Sequence, residues 1–210
     1  MFADAFRGRR VLVTGHTGFK GSWLCAWLTE LGAEVTGLAL APDTTPALFD
    51  MLALGDRLAA HHVVDVRDAA AVQRLLSAAQ PEVVLHLAAQ PLVRLSYREP
   101  AATWATNVGG TVNLLEAVRA TLSVRACVVV TSDKCYENRE WVWGYRENES
   151  MGGHDPYSSS KGAAELAVAS WRRSFPSNTR TACMGELRDQ TSLSAMRKTS
   201  EAQSGKCAAD

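Results

Sequence analysis

The sequence predicts an α/β fold, a doubly wound parallel sheet with helices on both faces. Three observations carry the prediction: short β-branched apolar runs recur along the chain, segments with apolar residues at helical spacing alternate with them, and glycines punctuate the joins. Strands that read as near-continuous apolar runs belong to parallel sheets, and crossovers between such strands are right-handed.

The first run, Arg9 to Thr14, ends at Gly15 and predicts a strand. After further glycines, Ser22 to Leu31 places Leu24, Trp27, Leu28 and Leu31 at helical spacing, and Gly32 stops the helix. Glu34 to Leu40 reads as a second strand and His61 to Val64 as a third. Ala69 to Ala79 gathers Val72, Leu75, Leu76 and Ala79 on one helical face, and Pro81 breaks it before the strand Glu82 to Leu87. A helix from Thr103 to Ala120 and a buried strand from Arg125 to Ser132 follow. A polar, aromatic-rich loop then leads to an Ala-rich helix over Tyr157 to Phe175.

Length and composition set the outer bounds. The chain has 210 residues, 47% of them hydrophobic and 21% charged, which fits one globular domain or one plus a fragment and excludes whole-chain disorder. Twenty-two Lys+Arg balance twenty-two Asp+Glu, so no basic excess exists to hold a nucleic-acid backbone. No run of 18 apolar residues is present and no export signal is apparent, so no membrane partner and a cytoplasmic location are expected. The five cysteines are odd in number, widely spaced and lack a Cys-x-x-Cys pair, which argues against a disulfide framework or a metal site.

Two constellations carry chemistry. The first, Gly15-His-Thr17-Gly18-Phe19-Lys-Gly21, lies between the first strand and the first helix. Glycine lets a backbone approach a pyrophosphate, and a helix N-terminus offers unpaired N–H groups and the positive end of its dipole. The spacing departs from Gly-x-Gly-x-x-Gly, and a tight turn alone would also account for three glycines. The acid expected at the end of the second strand, to bond the adenosine ribose, is absent from Leu38-Ala-Leu-Ala-Pro42. Asp43 is a substitute just beyond, with a solvated loop residue as the alternative. Asp65 and Val66, after the third strand, would reach the adenine, Asp65 having the alternative of capping the helix near Ala69.

The second constellation is Tyr157-Ser-Ser-Ser-Lys161. Residues four apart share a helix face, so the ammonium favours the phenolate and makes Tyr157 a general base for an alcohol. Ser132 at the preceding strand end would share the same substrate oxygen. Asp133 and Lys134 follow it where α/β sheets hold their ligands, and there they read as acid/base groups or as an exposed ion pair.

Val13–Gly21, Leu85–Gln90, Asn107-Val-Gly-Gly-Thr111, Thr131–Tyr136 and Tyr157–Lys161 together resemble the extended short-chain dehydrogenase/reductases, the NAD-dependent epimerase/dehydratase family, over Arg9 to Phe175. The resemblance implies a Rossmann-type fold and NAD held by Gly15, Thr17, Gly18, Phe19, Gly21, Asp65, Val66, Leu87, Ala88, Ala89, Asn107, Tyr157 and Lys161. It further implies a nucleotide-sugar substrate, a homodimer, and help from Asn107 in holding the active-site helix. Ser132-Asp133-Lys134, in place of the more usual Thr-Asp-Glu, resembles the members that act on CDP-glucose as lyases, oxidising C4 and removing water across C5 and C6, which implies that Ser132, Asp133, Lys134, Tyr157 and Lys161 are catalytic. An epimerase of the same superfamily and a non-catalytic dinucleotide-binding module stay open as alternatives.

From about Thr179 the rhythm breaks. Arg180 to Gln190 offers no four-residue β-branched apolar run, and Thr191 to Asp210 has only Leu193 and Met196 as large apolar residues. The expectation is a domain over 1–178 and a 179–210 tail foreign to the family, frayed, disordered or frameshifted. The substrate domain that family members carry next would then be missing and turnover weak or absent.

Overall fold

The computed structural model describes residues 4–175 and 180–183. Six parallel strands form one sheet in the order β3-β2-β1-β4-β5-β6. They are β1 (Arg10–Thr14), β2 (Glu34–Ala39), β3 (Ala60–Val63), β4 (Val83–His86), β5 (Ala126–Val129) and β6 (Arg180–Cys183). Five of these and the principal helices lie where the hydrophobic pattern puts them.

Alternation along β1 divides the core. Leu12 faces a layer formed by α4 (Ala69–Ala79), α7 (Gly110–Ala120) and α8 (Pro156–Ser174), where it meets Val72, Leu76, Leu114, Leu115 and Val168. Val11 and Val13 face the opposite layer, with Cys25 and Leu28 of α1 (Phe19–Glu30) and with Phe49 and Leu54 of two short helices, α2 (Leu48–Met51) and α3 (Leu54–Arg57). Period-two alternation thus sends successive β1 side chains into separate cores, as a sheet covered on both faces requires.

Helix starts follow capping chemistry. Asp68 accepts from the Ala71 N–H to open α4, so the cap at this end is Asp68 and not Asp65. Asp155 accepts from the Ser158 N–H and hydroxyl, with Pro156 at the first helical position of α8. The segment expected as one helix from Thr103 is longer and broken in type: α5 (Val93–Arg98) and α6 (Pro100–Trp104) come first, and a π-helical turn, Ala105–Gly109, joins α6 to α7. Such turns are frequent at functional sites, and this one carries the buried Asn107.

One expectation is corrected. A strand was not expected after the Tyr157 helix, yet Arg180–Cys183 pairs in parallel with β5, Ala126 opposite Arg180 through Val129 opposite Cys183. A ladder is made by backbone groups, so an edge strand needs no continuous apolar run and its sequence carries a weak signal. The expectations for 184–210 lie outside the described residues. Among the described residues no helix is long and apolar enough to cross a membrane.

Candidate active site

The glycine loop, Leu87–Ala89 and Ser132–Lys134 follow the C-terminal ends of β1, β4 and β5, where parallel α/β sheets form ligand crevices, while Asp43 follows β2 and Asp65 and Val66 follow β3. The glycine loop is built by steric demand. Gly15 has φ +75°, and a Cβ there would lie 2.8 Å from the Ala88 nitrogen, so this turn is pressed against the strand exit of β4. A Cβ on Gly21 would lie 2.0 Å from the Gly15 carbonyl oxygen. The fold itself therefore requires these two glycines.

Gly18 differs. Its φ is −74°, and a Cβ there would approach nothing closer than the Gly15 oxygen at 3.5 Å. Nothing in the protein demands glycine at this exposed position, which opens α1. Close approach of a ligand backbone to the helix N-terminus would demand it. Thr17 donates to the Leu40 carbonyl at 2.9 Å and ties the loop to the end of β2, while Phe19 is exposed.

His16, within the loop, is fully buried. Gly37 of β2 leaves its ring space, Phe49 meets it edge-on at 5.3 Å, and neither ring nitrogen has a hydrogen-bond partner. Burial pushes its pKa down to about 4. The motif spacing marked this loop but not the orphaned imidazole inside it.

The predicted adenine-side residues take defined places. Both Asp65 oxygens accept from the Arg67 guanidinium, and the hydrogen bonds to Arg67 hold its carboxyl below the usual carboxylate range. Val66 is buried against Gly110 at the start of α7. Asp43 is exposed beyond β2.

Behind the glycine loop runs a buried polar chain that the sequence reading missed. The Thr14 hydroxyl lies 2.7 Å from His86 Nδ1 and accepts from the Leu87 and Ala88 N–H groups. His86 Nε2 lies 3.2 Å from the Thr111 hydroxyl, which donates to the Asn107 carbonyl. The directions close only if Thr14 donates to Nδ1 and Nε2–H donates to Thr111, so His86 is neutral. Burial first, and the Lys161 charge second, push its pKa down to about 3.

Asn107 is saturated by the protein. Its Oδ1 accepts from the Gln90 N–H at 2.8 Å, and its Nδ2 donates to the Gln90 carbonyl and, at 2.9 Å, to the Ser160 hydroxyl. Its side chain therefore braces the segment Leu87-Ala88-Ala89-Gln90 against α8. On α8, Tyr157 and Lys161 are both buried and share a face, with the ammonium 6.0 Å from the phenol ring centroid.

Ser132 caps a 3₁₀ turn, Asp133–Cys135, by accepting from the Lys134 N–H at 3.2 Å. Asp133 and Lys134 are exposed. This turn sits directly on the first turns of α8: a Cβ on Gly153 would meet both the Lys134 carbonyl and Ser158, and one on Gly162 would meet the Cys135 carbonyl at 3.1 Å. The structure thus brings Ser132–Lys134 and Tyr157/Lys161 to one place, and Gly15, Leu87 and Ala88 to the adjoining one.

Residues 12–198 match the model of the GDP-mannose 4,6 dehydratase family, and the chain belongs to that family. It is 58% identical over 170 residues to the CDP-glucose 4,6-dehydratase of Salmonella typhimurium, a match covering 81% of this chain and 47% of the relative. It is 31% identical over 187 residues to the CDP-paratose 2-epimerase of Salmonella typhi, covering 81% and 55% respectively. Among solved structures, a double mutant of dTDP-glucose 4,6-dehydratase from Streptomyces venezuelae, with NAD bound, superposes with a TM-score of 0.70 at 26% identity over 83% of this chain and 55% of that one. The chain spans about half the length of the curated relatives it matches.

Proposed function

We propose that this chain carries the dinucleotide site and the acid/base groups of a nucleotide-sugar 4,6-dehydratase that converts CDP-glucose to CDP-4-keto-6-deoxyglucose. The observation that carries the reading is the joining of two half-sites at one sheet end: a glycine loop with one glycine only a ligand would require, and a buried Tyr157/Lys161 pair beside Ser132-Asp133-Lys134. The 58% identity to a CDP-glucose dehydratase, against 31% to an epimerase, favours dehydration over epimerisation.

The loop fits NAD, which when bound supplies the acceptor for the C4 hydrogen and its return to C6. Gly15, Thr17, Gly18, Phe19 and Gly21 would hold the pyrophosphate against the α1 N-terminus, and Ala88 and Ala89 leave room beside it. Asp65 and Val66 would border the adenine, with Asp65 oriented by Arg67. Tyr157 takes the proton of the sugar 4-hydroxyl, and the Lys161 ammonium stabilises the phenolate oxygen. Ser132 donates to the sugar O4 and aligns it. The resulting ketone acidifies C5–H; Asp133 and Lys134, on the open side of the site, move the C5 proton and protonate the departing 6-hydroxyl, so that one water leaves. A homodimer and a cytoplasmic setting go with this reading.

The test is incubation of the 210-residue protein with NAD and CDP-glucose, followed by mass spectrometry of the sugar nucleotide. The expected result is slow formation of a product lighter by one water. Tyr157→Phe should lower the rate by about 10²–10⁴-fold with dinucleotide affinity nearly unchanged. Bound NAD and bound CDP-glucose with no product would contradict the proposal.

A further inference from the structure

The turn that follows β3 is held from more sides than its length requires. Asp65 to Asp68 closes on itself, the Asp68 N–H donating to the Asp65 carbonyl at 3.0 Å. The Asp65 carboxylate accepts from the Arg67 N–H at 2.9 Å, which makes an Asx turn, and both its oxygens accept from the Arg67 guanidinium. Asp68 then leaves the turn as the cap of α4.

A second element grips the same four residues from outside. Asn113 of α7 donates from Nδ2 to the Val66 carbonyl at 3.0 Å and to the Arg67 carbonyl at 3.1 Å. Both partners are acceptors, so the amide nitrogen of Asn113 and not its oxygen must face them. One turn earlier on α7 stands Gly110, where a Cβ would lie 2.6 Å from Val66 Cγ2. Residues three apart share a helix face, so α7 offers a socket for the Val66 side chain and a clasp for two successive carbonyls. Val66 is 5% exposed and the Asp65 side chain 28%. The anchor of the turn is buried while its carboxylate stays open.

We propose that Asn113 is a positioning residue for recognition of the cofactor's base: from α7 it fixes the turn that aims Asp65, and so makes the site select a purine with an amine at C6. The inference rests on NAD lying along the ends of β1, β2 and β3, and it adds how the base is chosen. β1 and β3 are separated by β2 alone, about 10 Å at two strand spacings, a span that an adenosine leaving the glycine loop covers. There a carboxylate accepts from the C6 amine of adenine and repels a carbonyl oxygen in the same place. Selection needs the carboxylate held still, because one free to swing would find the N1–H that hypoxanthine carries beside its C6 carbonyl. Asn113 supplies that restraint without touching the base.

The experiment is a calorimetric titration of NAD and of nicotinamide hypoxanthine dinucleotide, which has a C6 carbonyl in place of the amine. Each is titrated into the wild-type chain, Asn113→Ala and Asn113→Asp, with folding checked by circular dichroism. The wild-type chain is expected to prefer NAD by at least about tenfold, the worth of one hydrogen bond to a charged group. In Asn113→Ala the preference should fall below about threefold, and in Asn113→Asp, equal in size but with no amide hydrogens to donate, it should fall likewise. A purely structural role would weaken both dinucleotides alike and keep their ratio. An unchanged ratio in either variant that folds would therefore overturn the proposal, as would equal affinity of the wild-type chain for the two dinucleotides. No binding of NAD to the wild-type chain would reject the cofactor reading and the proposal with it, whereas NAD binding with an unchanged ratio rejects the proposal alone.

Discussion

The glycine loop after β1 and the helix that carries Tyr157 are built by opposite means. In the loop, position is enforced by what is missing: no side chain fits at Gly15 or Gly21, so the backbone of the β1 turn lies against Ala88 and against itself. Around α8, position is enforced by what is added: Asn107, Ser160, Thr131 and Glu165 place buried polar groups in contact across elements distant in sequence. Steric exclusion fixes a surface for a ligand to lie on, whereas a satisfied polar network fixes the direction of single side chains. The first suits a bound cofactor and the second a proton transfer.

Substitutions at the two regions should therefore fail differently. The largest effect on binding is expected from Gly21→Ala, where the added methyl overlaps the Gly15 carbonyl and the backbone must move. Affinity for NAD should fall more than about 100-fold, equivalent to about 2.7 kcal/mol, in a calorimetric titration. Near wild-type binding would show that the loop relaxes without consequence and would weaken the contrast.

Acid should break both regions through their buried histidines. His16 is depressed to about 4 and His86 to about 3, so each binds fewer protons in the folded chain than in the unfolded one. Stability is then full above about pH 6.5 and declines as pH falls towards 4, by up to about 1.4 kcal/mol per pH unit for each histidine. Urea unfolding at a series of pH values should show this slope, and His16→Leu should remove about half of it. An unchanged slope in the variant would mean that His16 titrates normally.

Asn107→Ala is expected to cost about 1–3 kcal/mol, because it removes the acceptor of the Gln90 N–H and the donor to the Gln90 carbonyl and the Ser160 oxygen. Turnover should suffer more than NAD affinity, since the brace acts on α8. Equal loss of both would place Asn107 on the cofactor instead.

Much of this was legible in the chain, and what was not has a common cause. Gly15–Gly21 and Tyr157/Lys161 are local patterns whose spacing carries their chemistry. The chain Thr14–His86–Thr111 joins residues 72 and 25 apart, and Thr131 reaches Glu165 34 residues on, so only the fold reveals these pairs. The side chain of Gln90 faces Thr103 and Leu92, and its backbone is what Asn107 holds, a role that residue type does not announce. β6 escaped notice because an edge strand pairs through its backbone.

The most direct measurement of the central claim, that a dinucleotide lies against this loop, is the titration of NAD into the wild-type chain and into Gly18→Ala, with thermal unfolding of both. Gly18 has room for a methyl group in the protein, so the variant should keep its stability within about 1 kcal/mol. Its NAD affinity should nevertheless fall at least about tenfold, because the methyl would occupy the ligand's place. Equal affinity in the two proteins, or no binding by the wild-type chain, would contradict the account.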